Sequence, residues 1–283
     1  MQPISDPSLP GRRSAEPRLR SRTFTSMGTV VSLAVPSAPG TASPSVSEAL
    51  EAATAVVEQL FNRLDEMFSL YRPGSEASAM ARGELTLKDA SADMRRLYVE
   101  ASEWRTLTEG AFTAERPDGV VDLAGIVKAH AIREAGTSLL PLGLEDWCLN
   151  AGGDVLVGGS PTPGSPRPWL AGIVDPEDRT ALLTAFPVGS AGKHALATSG
   201  TGERGHHIWT AGLQREPDEG FRQVSVAASD IVTADVLATA IMAGGAATLT
   251  LATARWDVDV LAVKNDGGLL ATPGFRNRAG QNS

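Results

Sequence analysis

The amino-acid sequence predicts an α+β fold, with mostly antiparallel sheets and helices packed on them. Three observations carry that expectation. Residues 47–140 hold three stretches of helical apolar period, whereas the chain beyond Pro141 breaks into short β-rich runs bounded by Gly or Pro. Helices first and strands afterwards suit segregated layers better than a doubly wound parallel sheet. With 29 Gly and 18 Pro, turns are too frequent for an all-helical bundle. At 283 residues the chain has room for one large domain, expected over residues 23–272, after a disordered leader (1–22) and before a frayed polar tail (273–283).

The elements follow in order. Thr29–Val35 is β-branched and partly alternating, a strand. After the Pro/Ser/Gly-rich run 36–45, Ser47 caps a helix to about Phe68, its stripe set by Leu50, Ala53, Val57, Leu60, Leu64 and Met67. Ser91 caps a second helix that reaches Leu107 and buries Met94, Leu97, Ala101 and Trp104. A third helix begins near Ala124 and stops before Pro141. Strands are expected at Trp147–Asn150, Asp154–Val157, Trp169–Val174, Ala181–Val188, Ala195–Ser199, Val224–Ala228 and Trp256–Val263. A last helix over Thr233–Ala243 ends at Gly244-Gly245.

Composition removes several function classes. A net charge of −8 and a pI near 5.1 lack the basic footprint of a nucleic-acid binder. One cysteine (Cys148) and four histidines exclude a disulfide framework and a Cys/His zinc cluster, leaving hard-oxygen metal sites open. The arginine-rich first 22 residues carry no apolar core of secretory length, and no stretch is expected to reach the roughly 18 apolar residues of a membrane span. A cytoplasmic protein without membrane insertion is the expectation.

Two motif matches fail on context. Gly200-Thr-Gly-Glu-Arg-Gly205 fits the dinucleotide fingerprint by letter, but strand-like His206-His207-Ile208-Trp209 follows where a helix must open. Gly189-Ser-Ala-Gly192-Lys193 resembles a P-loop, yet its first Gly is too close and His194 stands where a Ser or Thr would hold magnesium. No G-x-S-x-G elbow exists.

Four signals survive. Asp122-Leu-Ala-Gly-Ile-Val-Lys128 places a carboxylate, a glycine and an ammonium at a helix entry. Asp235 and Thr239, four apart, share a helical face and form an oxygen pair suited to Mg²⁺. Asn150-Ala-Gly-Gly-Asp154 joins two β runs through paired glycines, and His206-His207 offers an imidazole near neutral pKa. Taken singly, each also reads as an ordinary cap, helix, hairpin or strand end.

In sequence these pieces resemble the ApbE family, the FAD:protein FMN transferases. The resemblance runs through Ser26-Met-Gly-Thr29, Phe68–Glu76, Gly110-Ala-Phe112, Asp122–Lys128, Leu149–Asp154, Gly172–Pro176, Ala197–Gly200, His207-Ile208 and Ala234–Ile241, in family order. It implies a magnesium-dependent transfer of the FMN half of FAD onto a Thr or Ser hydroxyl of an acceptor flavoprotein, with release of AMP. By the same resemblance Met27, Tyr71, Ala111, Phe112, Asp122, Lys128 and Ile208 match flavin- or nucleotide-contacting positions. Asp235, Thr239 and the main-chain oxygen of Gly125 match metal ligands, and His207 matches the base that takes the acceptor proton, with Lys128 assisting at the phosphates. Tyr71 and Phe112 are the aromatics expected to flank a ring.

The chain departs from the family at Thr113, where an Asp is usual, at Ala129, where a Gly is common, and in short segments after Phe112 and after Ile208. The short segments motivate a reading as an FAD-binding carrier or sensor without transfer, and a second enzymatic reading is an FAD pyrophosphatase yielding FMN and AMP with water as acceptor.

Overall fold

The computed structural model describes residues 18–37, 44–200 and 220–279. The first half runs β1 (Arg18–Ser26), β2 (Thr29–Ser37), α1 (Pro44–Phe68), α2 (Glu76–Ala81), α3 (Ala92–Leu107) and α4 (Ala124–Leu139). Six strands follow: β3 (Trp147–Ala151), β4 (Asp154–Gly158), β5 (Trp169–Val174), β6 (Leu182–Val188), β7 (Ala195–Gly200) and β8 (Phe221–Ala228). The chain then makes α5 (Ile231–Arg255), β9 (Asp259–Lys264), β10 (Leu269–Ala271) and α6 (Pro273–Ala279). The α+β expectation holds, and every strand pair is antiparallel.

Eight strands form one sheet in the order β1-β2-β3-β4-β7-β8-β9-β10, and β5-β6 is a separate hairpin. Residue alternation on the central strands sorts side chains to two cores. Leu149, Ala197, Val224 and Val226 face the helices, which close the larger core, while Val155, Val157, Leu196 and Ala227 face the β5-β6 hairpin and α6. The helices form because their apolar residues keep a 3.6 period. In α1 the buried stripe is Leu50, Ala53, Val57, Phe61, Leu64 and Phe68. Leu60 and Met67, expected in that stripe, are only half-buried, because five turns of helix from Leu50 land on Phe68.

Several boundaries differ from the expectation. Strand β1 starts at Arg18, inside the expected leader, and pairs along its whole length with β2. Its charged, mostly exposed residues hide a strand whose partner supplies the apolar face. Residues 273–279 are helical rather than frayed, because Phe275 is buried against Phe186 with ring centroids 4.8 Å apart. The short α2 was not foreseen, although Ser75 caps it by accepting from the Ser78 amide at 2.9 Å.

The last expected helix is much longer. Asp230 caps it, accepting from the Thr233 amide, and it continues past Gly244-Gly245 to Arg255. Gly245, at φ 64° and ψ −148°, interrupts it in a region of backbone space that only glycine enters freely. Against the expectation that no stretch reaches the span length, α5 is long and apolar enough to cross a membrane by length and composition alone, a test that the buried helix of a folded core also passes. In this fold its apolar surface is covered by β7, β8 and α4.

Candidate active site

The site is assembled at one end of the large sheet, where two tight turns lie side by side. Met27-Gly28 joins β1 to β2, and Met27 itself takes a positive φ of 51°. Gly152-Gly153 joins β3 to β4 with φ of 62° and 94°, values a type I′ hairpin requires. The Gly152 amide donates to the Val30 carbonyl at 3.1 Å, and a Cβ on Gly152 would meet Thr29 Oγ1 at 2.5 Å. Glycine is therefore required where the turns touch.

The second turn delivers Asp154, whose side chain faces the helices and is fully buried. Main-chain pairing between β4 and β7 stops at Val155–Leu196. One residue further, Asp154 Oδ1 takes the place of a strand partner and accepts the Thr198 amide at 3.0 Å. Its other oxygen, Oδ2, contacts Lys128 Nζ from α4. The same ammonium lies 3.9 Å from Asp235 Oδ1 on α5. The three side chains are only 12% (Lys128), 0% (Asp154) and 6% (Asp235) exposed, so their interactions are weakly screened by water. One helical turn beyond Asp235, Thr239 Oγ1 lies 3.1 Å from Ser199 Oγ on β7.

The remaining candidates are distributed around this cluster. Asp122 Oδ1 accepts the Ala124 amide at 3.0 Å in the turn just ahead of α4, whose N-cap position is Leu123. Ala111 packs on α5, close enough that a Cβ on Gly244 would come within 3.0 Å of it. Gly125 is exposed in the first turn of α4, and a Cβ there would meet the Phe112 ring at 3.3 Å. Phe112 is 3% exposed and covered by protein, whereas Tyr71 is 85% exposed. The two rings therefore do not flank a common open slot as expected. Met27 is half-buried against the main core. His207 and Ile208 lie outside the described residues, as does most of the glycine run 200–205.

Chemically, the cluster offers oxygens and one cation. Among the described residues no three His, Cys, Asp or Glu side chains gather as a metal cage. A carboxylate and a hydroxyl on one helical face fit a hard cation that takes few protein ligands plus phosphate oxygens. A Thr239 hydroxyl that donates its proton to Ser199 keeps its lone pairs for such an ion. Thiol chemistry has no place here, because burial pushes the Cys148 pKa up to about 12.

The sequence reading assigned no role to Asp154 or Ser199. Asp154 stood in the Asn150–Asp154 motif, but nothing in its spacing points to Lys128, 26 residues earlier. The discounted Gly189–Lys193 run is a turn whose Lys193 is buried and donates to the Asp257 carbonyl at 2.7 Å, so that ammonium ties two loops together.

Residues 27–115 and 113–262 match the ApbE family. The chain belongs to that family. An FAD:protein FMN transferase of Rhodobacter capsulatus is 31% identical over 179 residues, which make up 61% of this chain and 34% of that protein. The chain thus spans about a third of the length of that curated relative. The fold matches the flavin transferase ApbE of Vibrio cholerae with a TM-score of 0.70 at 22% identity, over 93% of this chain and 99% of that one. The ApbE protein of Thermotoga maritima matches equally well, with a TM-score of 0.71 at 19% identity over the same shares. Of the ApbE-like motifs, the hairpin at Met27, the α4 entry, the Asn150–Asp154 turn and the Asp235/Thr239 face all contribute to the sheet end described above.

Proposed function

We propose that this ApbE-family chain is an FAD:protein FMN transferase that requires Mg²⁺, uses a Thr or Ser hydroxyl of a flavoprotein as acceptor, and releases AMP. The observation that carries the reading is the water-poor cluster of Lys128, Asp154 and Asp235 beside the Asp235/Thr239 oxygen pair. A pyrophosphate is the substrate group such a combination suits: hard-cation ligands on one side and a fixed ammonium on the other.

Asp235, Thr239 and the Gly125 carbonyl would hold the magnesium ion, which when bound supplies charge neutralisation at the phosphoryl oxygens. Lys128 adds a positive charge that needs no reorganisation, since Asp154 already fixes it. The acceptor hydroxyl oxygen bonds to the FMN-side phosphorus as the bridging P–O bond breaks, and AMP leaves with the bridging oxygen. The hydroxyl proton passes to the imidazole of His207, whose ordinary pKa of about 6.5 suits a base at neutral pH.

Incubation with FAD, Mg²⁺ and a candidate acceptor flavoprotein tests the reading. A fluorescent acceptor band on a denaturing gel, with one AMP formed per flavin attached, is expected. Asp235→Ala is expected to lower the rate by about 100-fold or more, by removing a metal ligand. FAD retained without AMP contradicts the transferase reading and leaves a carrier; AMP formed without acceptor labelling leaves a pyrophosphatase.

A further inference from the structure

We infer that the free edge of β1 docks an extended acidic segment of the acceptor flavoprotein as an added strand and so leads the accepting hydroxyl to the site; the inference rests on the transferase reading above. β1 is the outer strand of the large sheet, paired along its nine residues with β2 and with no strand on its other side among the described residues. The Val30 carbonyl accepts the Gly152 amide on the β3 side, so Val30 and its partner Thr25 exchange no bonds with each other. Alternation along an antiparallel ladder then turns the N–H and C=O groups of Leu19, Ser21, Thr23 and Thr25 to the free edge.

The side chains choose the occupant. Arg18, Arg20 and Arg22 alternate on the helix-side face of β1, opposite Ser37, Val35 and Leu33 of β2. Neither strand contains an acidic residue, and among the described residues none of the three guanidiniums is ion-paired, in a chain of net charge −8. A second copy of β1 would set arginine against arginine, whereas a strand with Asp or Glu at every second position sets opposite charges across the ladder. Residues 1–17 suit the edge poorly, with Pro3, Pro7, Pro10 and Pro17 and only Asp6 and Glu16 as acids.

Position links the edge to the chemistry. β1 ends at the Met27-Gly28 turn, beside the Gly152-Gly153 turn that delivers Asp154. A strand added to β1 lies four strand spacings from β4, about 19 Å. About six extended residues cross that gap, so the accepting hydroxyl stands about that far in sequence from the acidic run.

Fluorescence anisotropy of a labelled alternating Thr-Asp peptide of about eight residues, long enough to line β1, reads docking without turnover. The full chain should bind it in preference to its Thr-Lys counterpart, and hydrogen exchange should slow across residues 19–25. Arg18→Glu combined with Arg22→Glu, both at exposed positions, should weaken binding about tenfold or more. Thr23→Pro removes an edge N–H that β2 does not use and should abolish binding, whereas Thr23→Ala should keep it. Where the proline lowers the melting temperature, the arginine reversal decides the matter.

Absence of binding, or equal binding by Thr23→Pro or by the arginine reversal, overturns the docking role. So does binding that emerges only once residues 1–17 are removed, or a dimer of this chain that Thr23→Pro dissociates. Docking with the predicted pattern in a wild type that forms no AMP contradicts the transferase reading alone. An acceptor flavoprotein labelled at the same rate by the wild type and by Thr23→Pro contradicts the docking alone.

Discussion

His130 illustrates how the fold treats a titratable side chain outside the site. It is 3% exposed on α4, with Nε2 3.0 Å from Glu100 Oε2 and its ring 3.1 Å from Arg133 Nη2. Burial lowers its pKa below the ordinary 6.5 and outweighs the opposing pull of Glu100, while Arg133 and Arg96 push the same way as burial. The native state therefore keeps the imidazole neutral where the unfolded chain would bind a proton. Stability from this group is present above pH 6.5 and is lost as pH falls below it. Thermal melts at pH 7.5 and 5.5 should show a smaller drop for His130→Gln than for the wild type; an unchanged drop assigns the acid sensitivity elsewhere. Single residues of this kind were poorly legible in sequence. Asp235 and Thr239 were readable because helical periodicity places them on one face, but Asp154 needed the β4–β7 register to reveal its partners.

Elements were legible wherever one periodicity governed them. The cap of α3 is the clearest case: Ser91 accepts the Met94 amide at 3.1 Å, and Met94, Leu97, Ala101 and Trp104 are the residues it buries. Ser91 also bonds Glu76 of α2 at 2.7 Å, a link across 15 residues that no local pattern encodes. Legibility failed where a tertiary partner decides. Strand β1 is defined by β2, α6 by a pocket over Phe186, and α5 runs through a glycine pair that reads as a stop. At Gly245 the backbone bends and the helix resumes, so an alanine there must adopt a strained conformation. Gly245→Ala should destabilise the protein by about 1–3 kcal/mol in urea unfolding; a neutral result would mean that the kink relaxes without cost.

At the largest scale, the described residues form a sheet covered on both faces, with the candidate site on the helix side. Helices α1, α4 and α5 cover one face, and the β5-β6 hairpin with α6 covers the other. Phe275 is the residue through which the C-terminal helix joins the smaller core. Phe275→Ala should cost about 3–5 kcal/mol, as for other buried aromatic truncations, which calorimetry would record as a clear fall in melting temperature. A silent substitution would restore the expectation of a frayed tail from Pro273 onward. At this scale the fold class was readable because helix-period and strand-period stretches are segregated along the chain. The excursion of β5-β6 out of the main sheet was not, since it depends on which strands β4 and β7 choose as neighbours.

The claim on which the rest stands is that Asp235 and Thr239 hold a divalent ion against a pyrophosphate. Anomalous diffraction from crystals grown with ADP and Mn²⁺ addresses it directly. The account predicts one strong peak at about 2.0–2.3 Å from an Asp235 carboxylate oxygen and Thr239 Oγ1, bridging to the diphosphate, with Lys128 on the far side of the phosphates. Bound ADP whose phosphates carry Mn²⁺ elsewhere, with Thr239 still hydrogen-bonded only to Ser199, would contradict it.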